Sequence, residues 1–173
     1  MCSSDLSLFI SRWDGATAAQ LPPDLANRLG IAIGQQSYKA YRDLLASDRF
    51  QRLANFGALP QRLLYASTGT KDPKLSDSLY VSALASPNTV NTMPEQTLLA
   101  FADHGTLAGI VSAGGGDAEQ TLFAVRRAGI DIDALGAKLQ KDGADAFVKS
   151  WNELLDVIVK KSHAVAAAGG TAR

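Results

Sequence analysis

Gln61-Arg62-Leu63-Leu64-Tyr65-Ala66-Ser67-Thr68-Gly69-Thr70-Lys71-Asp72-Pro73 and Asn88-Thr89-Val90-Asn91-Thr92-Met93-Pro94-Glu95 decide the fold. In each, a short apolar run gives way to small hydroxylated and amide residues, and a helix follows. A parallel β/α protein presents a site in this way: the strand buries its apolar part, and its carboxyl end opens into a polar loop where ligands bind. The two units lie about one strand-helix repeat apart, which points to a parallel sheet joined by helical crossovers.

Working outward, Ser7 to Trp13 (SLFISRW) is a compact apolar run that reads as a buried strand, broken by Asp14-Gly15. Leu21-Pro22-Pro23-Asp24 opens a short helix, with proline tolerated in its first turn. Gly30 to Ala46 carries Ile31, Tyr38, Tyr41, Leu44 and Leu45 at helical spacing. Ser47 or Asp48 caps another short helix that ends near Gly57. Leu63 to Ala66 is the second strand, Asp77 to Ala85 a short helix, and Asn88 to Asn91 a third strand. Pro94-Glu95 starts a helix that ends at Gly105. Asp117 caps a helix through Arg127, and Asp131 caps a final helical region to about His163, with a break at Gly143. The fold class expected is α/β: three parallel strands with flanking helices and a C-terminal helical extension. An eight-stranded βα barrel typically needs ~250 residues, so 173 residues in this order read as the last three βα units of such a barrel.

Composition narrows the function. Lys plus Arg and Asp plus Glu are 17 each, so no electrostatic footprint for nucleic acid or an anionic membrane exists. No window approaches the ~20 apolar residues of a membrane span. One cysteine, Cys2, excludes a disulfide framework, and with only His104 and His163 beside it a zinc site is not expected. The reading is a cytoplasmic, metal-free protein with no cofactor. Met1 to Leu6 has neither the basic region nor the apolar core of a signal peptide. It matches the translation of a common sequencing-adapter end and is expected to be a non-native extension fused to a truncated gene. Residues 7–163 then form the partial barrel and 164–173 a frayed tail.

The wording of the loops resembles the transaldolase family, most clearly in Ser7 to Asp14, Leu63 to Pro73, Leu79 to Val81 and Thr89 to Gly105 (TVNTMPEQTLLAFADHG). The branch concerned includes bacterial transaldolases and fusions to glucose-6-phosphate isomerase. The resemblance implies a βα barrel of the pentose phosphate pathway. It would move a dihydroxyacetone unit from sedoheptulose 7-phosphate to glyceraldehyde 3-phosphate through a Schiff base, with sugar phosphates as its partners and a homodimer possible for the full-length enzyme.

The resemblance also assigns residues. Ser7 and, five positions later, Arg12 match the sixth strand of the family, where the arginine holds the substrate phosphate. A planar guanidinium suits that role because it gives two charge-assisted hydrogen bonds. Residues five apart in a strand face opposite ways, so a bend must bring both to one site. The structural alternative for Arg12 is an ion pair with Asp14. Lys71 follows Ser67-Thr68-Gly69-Thr70 in the loop where the family places a second cationic phosphate contact; the alternative is a solvated loop lysine. Ser67, Asn91 and Thr92 stand where they would line the pocket, while Thr68 should point away.

Other candidates read as structure. Asp103-His104-Gly105 is a helix end with a favourable dipole contact rather than an acid-base pair. Gly114-Gly115-Gly116 lacks the lysine and spacing of a nucleotide loop. Phe147 and Trp151, at i and i+4, form a packing face. The resemblance places the Schiff-base lysine on the fourth strand and its acidic partners on the first and third. None of the lysines here maps onto that nucleophile, so the chain alone is expected to be inactive. The alternative is a non-catalytic module that binds sugar phosphate or assembles with another half-barrel.

Overall fold

A computed structural model describes residues 6–70, 72–107 and 109–169, except for the side chains of residues 6 and 167–169. The elements in chain order are β1 (Leu6–Phe9), α1 (Ile10–Thr17), α2 (Leu29–Ala46), α3 (Asp48–Asn55), β2 (Leu63–Ala66), α4 (Leu79–Ala83), β3 (Thr89–Asn91), α5 (Glu95–His104), α6 (Ala118–Arg127) and α7 (Ile132–Gly169). The chain divides at residue 132 into two compact units, the second consisting of most of α7 and the residues after it.

The first unit is built on one sheet in the order β1-β2-β3, parallel throughout. Leu8 stands opposite Tyr65, and Tyr65 opposite Asn91, so the carboxyl ends of all three strands lie along one edge. Alternation sends Leu8, Leu63 and Tyr65 to one face and Ser7, Phe9, Leu64 and Val90 to the other. The first face carries the core. Leu63 and Tyr65 are 2% and 0% exposed, and they pack with Ile10, Tyr38 and Tyr41 of the helical layer, Tyr80, Leu84 and Val111. On the second face Ser7 is exposed, and Phe9, Leu64 and Val90 are only half-buried. Parallel sheets are ordinarily covered on both faces; among the described residues this second face stays open.

Close packing explains two glycines. A side chain at Gly34 would meet Leu84 at 2.7 Å, and one at Gly30 would meet Asp14 and the Ile10 carbonyl at 2.7 Å each. α6 lies against α2, buries Ala118, Leu122 and Val125, and is tied there by Arg28 to Asp117 at 2.9 Å.

Several elements differ from the sequence reading. The apolar run from Ser7 does not stay a strand to Trp13: β1 ends at Phe9 and α1 begins at Ile10. A short apolar run does not separate a buried strand from a buried helix. Leu21 to Asp24 forms turns rather than a helix, and Asn27 then takes a left-handed φ of 60°. Asp117 does not cap α6 through its side chain, because its carboxylate is engaged by Arg28. Ser47 does cap α3, accepting the Phe50 N–H at 3.3 Å. No break occurs at Gly143. A single helical glycine costs only about 1 kcal/mol, and the i,i+4 pairs Lys138–Asp142 and Lys141–Asp145 flank it.

α7, by itself, is amphipathic. Phe147, Trp151, Leu154 and Ile158 share one side at 3.6-residue spacing, and Lys149–Glu153 lies on the other. Phe147 and Trp151 were expected in a packing face, yet they are 67% and 60% exposed. No helix among the described residues is long and apolar enough to cross a membrane.

Candidate functional site

The candidate residues sit at the carboxyl edge of the sheet. Phe9 of β1 pairs with Ala66 of β2, so the segment after Phe9, which carries Arg12, lies beside the Ser67–Thr70 loop. The required bend is the start of α1. There the Ser11 N–H donates to the Ser67 carbonyl at 3.1 Å and stitches the two strand ends together. The turn swings Arg12 back over β1, and its guanidinium lies 4.3 Å from the centroid of the Phe9 ring. Phe9 shares the open face with Ser7, so the bend returns Arg12 to the Ser7 side of the sheet. Such a cation–π contact orients an arginine while leaving its N–H donors free for an anion.

Arg12 and Asp14 do not pair. Among the described residues Arg12 has no carboxylate partner, and Asp14, 4% exposed, is held elsewhere. Its Oδ1 accepts the Gly30 N–H at 3.1 Å and its Oδ2 the Tyr80 hydroxyl at 2.8 Å. Burial raises the Asp14 pKa above the ordinary carboxylate value, opposed by the hydrogen bonds from the Gly30 backbone, the Tyr80 hydroxyl and the Leu29 backbone. Burial and the neighbouring carboxylate also push the Tyr80 phenol up.

The β2 loop is the other half of the site. Ser67 adopts a left-handed φ of 53°, a conformation that costs a non-glycine residue of order 1–3 kcal/mol and concentrates at functional positions. Thr68 is fully buried and donates to Asn91 Oδ1 at 2.7 Å, pointing away from the open face. Asn91 is thereby tied to the β2 loop. Thr92 is exposed, and its N–H and hydroxyl both donate to the Tyr65 carbonyl, at 2.9 and 3.4 Å. Ser7 lies in the body of β1 opposite Leu64, below the strand end. Lys71 lies outside the described residues.

Beside Asp14 a cavity of about 410 Å³ is lined by Ser11, Thr17, Asn27, Thr70, Asp72 and Tyr80 among others. A second cavity lies between the β2–α4 loop and the end of α5. There His104 Nε2 is 2.9 Å from Asp77 and Nδ1 is 3.2 Å from Asp103. Hydrogen bonds to Asp77 first, then Asp103, raise the His104 pKa. His104 ends α5 ahead of Gly105, whose N–H caps Phe101 O, so the helix-end reading holds. The Gly114–Gly116 turn rests on Gln35 and Lys39 of α2. No group of three metal-ligating side chains occurs among the described residues.

Sequence reasoning missed Ser11, Asp14 and Tyr80. Asp14 and Tyr80 are 66 positions apart, and no local pattern joins them; the only signal was Gly30, a glycine inside a helical pattern, where a side chain would collide with Asp14.

Comparison with known proteins follows the same residues. The family model described as Transaldolase/Fructose-6-phosphate aldolase matches residues 3–158. A transaldolase of Saccharopolyspora erythraea is 44% identical over 162 residues, covering 90% of this chain and 44% of that protein. A transaldolase of Thermobifida fusca is 42% identical over 163 residues, with 90% and 44% covered. One from Neisseria meningitidis is 40% identical over 153 residues, with 88% and 44% covered. The chain thus spans less than half the length of these relatives. A match across nearly the whole of this sequence, including every strand and the candidate loops, places the chain in the transaldolase/fructose-6-phosphate aldolase family.

Proposed function

We propose that the chain is the C-terminal part of a transaldolase and supplies the phosphate-holding side of its site. The reaction would pass a dihydroxyacetone unit from sedoheptulose 7-phosphate to glyceraldehyde 3-phosphate through a Schiff base, as one step of the pentose phosphate pathway. What carries the reading is Arg12: an arginine without a carboxylate partner among the described residues, stacked on Phe9 at the carboxyl edge of the sheet and on its open face. Further support comes from the Ser67–Thr70 loop stitched alongside it. In this arrangement Arg12 binds two phosphate oxygens, the loop contributes N–H and hydroxyl donors, and Lys71 adds a second positive charge. Ser7, Ser67 and Thr92 shape the wall, and Asn91, expected there too, instead supports the loop from behind through Thr68.

The nucleophile lies elsewhere. Amine catalysis needs a deprotonated lysine in a shielded pocket with an acid-base group beside it. None of the lysines among the described residues is buried. With Lys71 read as a phosphate contact, we assign the Schiff-base lysine to sequence outside this chain and propose that the chain alone is inactive. Borohydride reduction in the presence of fructose 6-phosphate, read by intact mass, tests this. The mass should stay unchanged. An adduct of one dihydroxyacetone unit, mapped to any lysine of this chain, would overturn the assignment.

A further inference from the structure

We infer that Asp14 is a positioning residue for Arg12, pinning α1 to α2 and α4 so that the guanidinium is held over Phe9 on the open face. The inference rests on the reading of Arg12 as the phosphate ligand. α1 spans eight residues, about two turns, too short to set its own place. Its orientation comes from its anchors. At its start, the Ser11 N–H is fixed to the Ser67 carbonyl. Past Arg12, Asp14 takes one hydrogen bond from the backbone of α2 and one from the Tyr80 side chain of α4. Arg12 lies between these two fixed points.

The chemistry of the clamp is specific. A carboxylate this deeply buried is costly unless both oxygens are satisfied, and here each oxygen accepts a hydrogen bond, with the Leu29 backbone N–H contributing as well. No cation pairs with it among the described residues, so charge neutralisation is not its purpose. Gly30 is part of the same device, since a side chain there would collide with Asp14 Oδ2 at 2.7 Å. The raised pKa of Asp14 accords with a group selected for geometry over solvation. An asparagine fits the same place, accepting from Gly30 and donating to the Tyr80 oxygen; an alanine abolishes both bonds.

The test reads Arg12 directly. In the wild-type chain the Phe9 ring current should shift the Arg12 side-chain protons upfield in the NMR spectrum. Asp14→Ala should lose most of that shift and weaken fructose 6-phosphate binding about tenfold, the scale of one charged hydrogen bond. Asp14→Asn should retain both. Tyr80→Phe, which removes only one bond and keeps the ring, should lose part of the shift. A merely structural role would lower the thermal midpoint and leave the shift in place. An unchanged shift in folded Asp14→Ala, or in Tyr80→Phe should the alanine variant not fold, overturns the inference. If the shift collapses while Arg12→Ala binds fructose 6-phosphate as tightly as wild type, Asp14 positions Arg12 and the phosphate reading is what fails.

Discussion

The two faces of the sheet are built from alternate residues of the same strands, and they differ. Leu63 and Tyr65 are sealed beneath a helical layer rich in tyrosine and leucine. Leu64, between them, and its cross-strand partner Val90 are only half-buried, beside Ser7 and Phe9. The sealed face supplies the stability of this unit. Among the described residues the open face carries no comparable apolar layer, and the guanidinium of Arg12, near the strand ends, folds back onto it. The difference separates what holds the fold from what the fold presents.

The comparison is broken most forcefully at adjacent positions. Leu63→Ala should cost about 2–5 kcal/mol, the range for emptying a packed leucine site. Leu64→Ala should cost less, about 1–2 kcal/mol, because that side chain is only half-buried and has less burial to lose. Urea midpoints of the two variants decide it, and equal losses would mean that the open face is covered in solution.

Gly30→Ala tests the junction of α1 with α2. The added methyl meets two oxygens at 2.7 Å, and overpacking of this kind costs about 1–3 kcal/mol. A midpoint raised by the better helix former would show that α1 can move aside.

The smallest effect concerns His104. Its pKa is raised above the ordinary 6.5 by Asp77 and Asp103. A raised histidine pKa stabilises the folded state fully below pH 6.5 and less as pH rises through the folded value. Asp77→Asn should lower the His104 titration midpoint followed by NMR. It should also flatten the stability profile just above pH 6.5. The pair is exposed, so salt should weaken it.

Much of this was legible in the residues. β2, β3, α5 and α6 follow from apolar runs closed by glycine, proline and capping residues, which are local signals. The strand edge that gathers Arg12 and Ser67 also follows, because parallel pairing puts all carboxyl ends together. Illegible were the turn of the chain at Ile10, where a buried run gives the same pattern in helix and strand, and the Asp14–Tyr80 contact, which tertiary packing alone creates. The prolines at 22 and 23 suggested a helix start, but Asn27 turned the chain instead.

The most direct test of a phosphate site on the open face is a calorimetric titration of the chain and of Arg12→Ala with fructose 6-phosphate. Losing the guanidinium should weaken binding by about 1.5–3 kcal/mol, roughly 10- to 150-fold. The thermal midpoint should move only by the few degrees that a cation–π contact of about 0.5–1 kcal/mol supports. Equal affinity in the two folded proteins would contradict the assignment of Arg12 and, with it, the functional reading of the open face.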